Sequence, residues 1–180
     1  MGPWPHGLSR STKTGDIDFG APSKIDLDAL ERSWLDRWLR DEDNRVENEA
    51  PLRLFIMGTN EWRDEQEWPL ARTDWQHWHL HSNGKANTAH GSGTLSLVTA
   101  LEEQPDRFSY NPQYPVQTIG GNNCCSPDIV PWGPYDQRPV ESRSDVLCFT
   151  TNPMPNDFEV IGPIQLKLYA STDALDTDWT

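Results

Sequence analysis

A chain of 180 residues with 15 basic and 28 acidic side chains carries a formal charge of −13, so its surface repels phosphate backbones and anionic lipid, and nucleic acid and membrane are poor partners. No stretch approaches the roughly 18 consecutive apolar residues of a spanning helix, and the opening run Met1-Gly-Pro-Trp-Pro-His6 has no apolar core and does not read as a signal peptide. Only 35% of the residues are apolar and 15 Pro with 12 Gly punctuate the chain, yet 9 Trp, 5 Phe and 4 Tyr are too many for disorder, which predicts a folded, loop-rich, mostly β protein.

Residues 1–24 are irregular and rich in Gly, Pro and Ser. A helix is expected next, with Asp26 as N-cap and Leu27, Leu30, Trp34 and Trp38 forming a core-packing stripe beside Leu35 and Leu39. Asp28/Arg32 and Asp36/Arg40 are i,i+4 pairs in the better orientation, and the helix should fray in the acidic run Asp41-Glu-Asp-Asn44. The run Pro51-Leu-Arg-Leu-Phe-Ile-Met-Gly58 reads as a short strand buried on both faces. A helix followed by such a strand resembles the last αβ unit of an α/β sheet whose other strands lie elsewhere. From about residue 70 the texture predicts short strands at 76–80, 94–98, 107–110, 146–150, 158–161 and 164–170, the even spacing of a sandwich or jelly roll.

Four features could carry chemistry. His6 stands on a Gly/Pro/Trp loop ahead of a helix, a setting that suits a general base, although an isolated loop histidine is ordinarily plain surface. The alternation His77-Trp-His-Leu-His81 would place three imidazoles on one strand face, a spacing able to bind zinc, but any half-exposed strand shows it. The loop 120–133 opens on two glycines, is stiffened by two prolines and a tryptophan, and is too long for a hairpin turn. The three cysteines, Cys124, Cys125 and Cys148, form an odd set without C-x-x-C spacing, which excludes a disulfide framework and a zinc ribbon. They read as free thiols of a reducing compartment, with a strained Cys124–Cys125 bridge as the alternative. No serine stands in G-x-S-x-G; Gly91-Ser92-Gly93 has the wrong spacing.

The longer string Gly2-Pro-Trp-Pro-His-Gly7, then Gly15-Asp-Ile-Asp-Phe-Gly20, then a Trp-bearing helix, resembles the catalytic-histidine loop of the cocaine esterase and X-prolyl dipeptidyl peptidase family of serine hydrolases. The resemblance continues through Leu52-Arg-Leu-Phe-Ile-Met-Gly58, Asn60-Glu-Trp-Arg-Asp-Glu65, Glu67-Trp-Pro-Leu70, His81-Ser-Asn-Gly84, Gly133-Pro-Tyr-Asp-Gln-Arg138, Asp145-Val-Leu-Cys148, Glu159-Val-Ile-Gly162 and Asp176-Thr-Asp178. It implies that residues 1–68 are the end of an α/β-hydrolase core and that 69–180 begin a C-terminal, galactose-binding-like jelly-roll β-sandwich, truncated here. It implies further that His6 is the general base of a Ser-His-Asp triad acting on ester, amide or peptide substrates, with the serine and aspartate upstream. Asp16 and Asp18, which follow His6 rather than precede it, then read as loop-structuring residues. In the family the loop matching 120–133 helps line the acyl pocket, which implies a substrate-pocket role for Cys124 and Cys125. No metal or organic cofactor is implied, and the chain by itself is expected to be inactive. The rival readings are a free-standing jelly-roll carbohydrate-binding module, which would not need the helix and buried strand at 25–57, and an interaction scaffold without ligand. Oligomeric state stays open, and a targeting segment, if any, would lie ahead of Met1.

Overall fold

The computed structural model describes residues 1–6, 10–123 and 128–180. Strands β1 (Lys13–Thr14) and β2 (Ile17–Asp18) pair as a minimal antiparallel hairpin over Gly15 at φ 59°. The 3-10 turn Ala21–Ser23 leads to helix α1 (Leu27–Arg40). Asp26 caps it as expected, its Oδ1 accepting the Ala29 N–H at 3.1 Å. The helix stops where Asp41 turns left-handed (φ 56°), so that the N–H groups of Asp41 and Glu42 both donate to the Asp36 carbonyl. Of the two predicted helical ion pairs, Asp36–Arg40 forms at 2.9 Å, whereas Asp28 is taken by Arg10 at 2.7 Å.

The apolar stripe of α1 does not pack into a core, contrary to expectation. No residue of α1 is buried, and Leu30, Trp34, Trp38 and Leu39 are 39%, 54%, 55% and 76% exposed. The helix is tied instead by polar contacts to the stretch that follows it. Arg37 meets Glu47 at 3.0 Å, and the Asn44 amide donates to the Ser33 carbonyl at 2.7 Å. Among the described residues nothing lies over the stripe.

Strand β3 (Leu52–Ile56) pairs antiparallel with β4 (Glu61–Glu65), from Leu52↔Glu65 to Ile56↔Glu61. The expected last strand of a parallel αβ unit is therefore, in this structure, one arm of a hairpin. Its turn explains why: Gly58 (φ 97°) and Asn60 (φ 58°) take positive φ and reverse the chain within four residues, whereas a parallel neighbour needs a crossover of a dozen or more. Burial on both faces holds at the end of the strand. Leu54 and Ile56 join Leu70 and Ile161 on one side; Phe55 meets Phe19 and Trp62 edge-on at 5.9 and 5.2 Å on the other. Side chains of this size stabilise by about 1.5–3 kcal/mol each when fully buried.

Beyond the hairpin, β5 (His79–His81) pairs antiparallel with β6 (Thr94–Ser96), both shorter than predicted. The predicted strand 146–150 is present only as isolated bridges: Cys148 N–H donates to Ala86 and Leu95 N–H to Thr150, each at 2.9 Å. A one-turn helix α2 (Arg138–Glu141) precedes it. Residues 107–110, 158–161 and 164–170 are not strands, because no neighbouring segment among the described residues offers them a ladder. Among the described residues the result is three two-stranded sheets with few helices, compatible with a β-sandwich domain.

Candidate functional site

His6 is placed by anchors on either side of it. Met1 lies along the edge of β3, its carbonyl accepting the Phe55 N–H at 2.9 Å. Trp4 is fixed twice: its indole N–H donates to the Ser23 carbonyl at 2.6 Å, and its ring lies 5.6 Å from that of Trp62, whose own N–H donates to Pro22 at 2.7 Å. Gly2 permits this geometry, since a Cβ there would collide with the Trp4 ring. On the far side Arg10 binds Asp28 and Asp26 at 2.7 and 3.3 Å, at the start of α1. His6 sits between these anchors in an exposed turn, and among the described residues no carboxylate lies within ion-pair distance of it. A fixed stem with an exposed imidazole is an arrangement that can offer a base to a group approaching from outside.

Asp18 serves the loop. Its Oδ1 accepts the Gly20 N–H at 2.9 Å, and that bond first, with one from Thr12 second, holds its carboxyl below the ordinary range. Asp16 contributes its backbone N–H, donated to the Pro134 carbonyl at 2.9 Å. That contact joins the hairpin following His6 to the stem of the loop 120–133. The stem is closed by a Gly121–Gly133 pair, whose two reciprocal bonds measure 2.7 and 2.9 Å. Gly133 lies so close to Thr14 that a Cβ would collide with its side chain, and Gly15 approaches Pro134 equally closely. The sequence distance between these contacts, well over a hundred residues, hid this seam from sequence reasoning. Two polar atoms in this part of the structure, Thr14 Oγ1 and Trp132 Nε1, are buried without a partner among the described residues. Cys124 and Cys125 lie outside the described residues.

The remaining candidates fare differently. Cys148 is a free thiol whose pKa burial pushes up, the reverse of what a nucleophile needs. The three histidines do not make a metal cluster: among the described residues no group of three ligating side chains stands together. His77 is exposed ahead of β5, and only His79 and His81 share the strand, their rings 6.4 Å apart. His81 is instead engaged by Glu103 at 2.7 Å, a pairing across 22 residues that no local spacing announces.

The family described as the X-Pro dipeptidyl-peptidase C-terminal non-catalytic domain matches residues 44–180. The cocaine esterase of Rhodococcus sp. (strain MB1 Bresler) is similar to the chain at 36% identity over 183 positions, covering 100% of the chain and 31% of that protein. The chain thus spans about a third of the length of the curated relative it matches. The matched family spans most of the chain and is a non-catalytic domain, while the curated relative is an esterase, so the shared membership is that of a hydrolase family. The chain therefore belongs to the family of the X-Pro dipeptidyl-peptidase C-terminal non-catalytic domain, as the C-terminal part of a cocaine esterase/X-Pro peptidase family protein.

Proposed function

We propose that the chain is part of a serine hydrolase that cleaves ester or amide bonds, in which His6 is the general base of a Ser-His-Asp triad. The serine and aspartate belong to sequence outside these residues. Residues 1–68 finish the α/β-hydrolase core and 69–180 begin a jelly-roll domain. The observation that carries the reading is the bracketing of His6. Trp4 fixes the chain before it and Arg10 pairs with the start of α1 after it, leaving the imidazole exposed and without a carboxylate partner among the described residues. A triad histidine needs that rigidity, because it must be aligned with both a hydroxyl and an orienting carboxylate. Supporting it, the uncovered stripe of α1 is the face that an adjoining core sheet would bury.

In this reading His6 takes the proton of the serine hydroxyl as that oxygen attacks the acyl carbonyl, then returns it to the leaving group. The seam between Asp16 and Pro134 supports a role for the loop 120–133 beside that centre, with Cys124 and Cys125 lining the acyl pocket. A fluorophosphonate probe tests the nucleophile: in the full-length protein it should label a serine outside residues 1–180, located by peptide mass mapping. Labelling of a serine within them sinks the assignment. The pocket is tested by Cys125→Phe, which should spare acetate esters and reject benzoate esters, since one methylene of fit is worth about 1–3 kcal/mol of discrimination. Equal loss across acetate, butyrate and benzoate, or no change, removes the loop from the pocket.

A further inference from the structure

The His81 ring lies between two acceptors. Nδ1 is 2.7 Å from Glu103 Oε1, and Nε2 is 2.8 Å from the Val98 carbonyl. The carbonyl can only accept. The carboxylate is held below its ordinary range, first by His81 and then by the Ser82 N–H that Oε2 accepts at 2.9 Å, so it too is an acceptor. A neutral imidazole carries a single N–H and satisfies one of these oxygens while facing the other with a lone pair. Both contacts together require the imidazolium.

Both acceptors sit on the strap that leaves β6, residues 97–103. The strap has no strand pairing, and its apolar residues Leu97, Val98 and Leu101 are 55%, 70% and 86% exposed, so packing does little to hold it. Its far end is secured separately. Asp106 accepts the Ser82 hydroxyl and the Ala86 N–H, each at 2.7 Å. We infer that protonated His81 is the clasp fastening this strap to β5, so that the strap is a proton-dependent element that loosens when the ring loses its proton.

The groups facing the ring are few. The strap carries two carboxylates, Glu102 and Glu103, and it is Glu103 that contacts the ring; on β5 the titratable neighbour is His79, 6.4 Å away between ring centroids; across the ladder on β6 stand Thr94 and Ser96, which do not titrate in this range. Glu103 first, and the Val98 carbonyl second, raise the His81 pKa above its ordinary 6.5. With the folded value raised, the clasp is fully made below the ordinary histidine range and is lost as pH rises through the raised value. None of this depends on the role of His6.

Hydrogen–deuterium exchange on the full-length protein between pH 6 and 9, corrected for intrinsic exchange, tests the clasp. Protection of the Ser82 amide, whose N–H donates to Glu103 Oε2 on the strap at 2.9 Å, should fall on the order of tenfold as pH rises through the raised value. His81→Gln should give low protection with no pH dependence, and Glu103→Gln should move the midpoint to lower pH. A flat wild-type profile, or a wild-type dependence surviving in His81→Gln, overturns the inference. Should His81→Gln fail to fold, an unmoved midpoint in Glu103→Gln overturns it equally.

Discussion

The β3–β4 hairpin and the segment 158–170 are both rich in apolar side chains at strand-like spacing, but their fates differ. Leu54, Phe55 and Ile56 are 4–8% exposed, whereas Phe158, Ile164, Leu166 and Tyr169 are 53%, 84%, 71% and 86% exposed. Hydrophobicity does not separate them. What separates them is a partner within reach: β4 follows β3 after four residues, and Leu70 returns to cap the pair. The later segment is held at one end, where Arg63 grips Glu159 with two bonds of 2.8 Å, Thr73 reaches the Ile161 carbonyl at 3.4 Å, and Ile161 packs on the core. Past that point no segment among the described residues pairs with it, and its alternating apolar side chains stay exposed. An alternating pattern states a need for a neighbour; it does not supply one.

Truncation mutants break the comparison most sharply. Leu54→Ala should cost about 2–5 kcal/mol in chemical denaturation, wherever it is measured, because its cavity lies inside a closed cluster. Leu166→Ala should cost under about 0.5 kcal/mol in the 180-residue chain, where the side chain is exposed. If residues 69–180 begin a jelly roll, the same change should cost about as much as Leu54→Ala in the full-length protein. Tolerance of Leu166→Ala there removes 164–170 from the sandwich.

A smaller effect sharpens the boundary between the two regions. Arg63 and Glu159 are 37% and 46% exposed at the side chain, so their pair is worth at most about 1 kcal/mol. Arg63→Ala should therefore barely change global stability, yet limited proteolysis beyond residue 159 should quicken while cleavage within the hairpin does not. Equal acceleration in both regions would mean that the pair holds the hairpin together rather than tethering the segment.

Legibility in the sequence followed the range of the interactions. The start of α1 was readable because Asp26 acts on a backbone N–H three residues on, and the Asp36–Arg40 pair because it is local. The β3 strand was readable from its apolar run, but its direction was not, because that is decided by what pairs with it. The same limit made 164–170 look like a strand. His6 stands out in the sequence through a string of family motifs rather than through any property of the residue. Its anchoring by Trp4 to Ser23, and the seam between Asp16 and Pro134, depend on contacts that no sequence spacing encodes.

The most direct test of the account is kcat of the full-length protein carrying His6→Ala, read beside its melting curve. Losing the base also loses the alignment of the nucleophile, and triad members act as a unit, so kcat should fall on the order of 10⁴-fold or more with melting unchanged. A fall of less than about tenfold in a variant that melts like wild type would contradict the account, since a general base contributes more than that, and His6 would then be an exposed loop residue and nothing more.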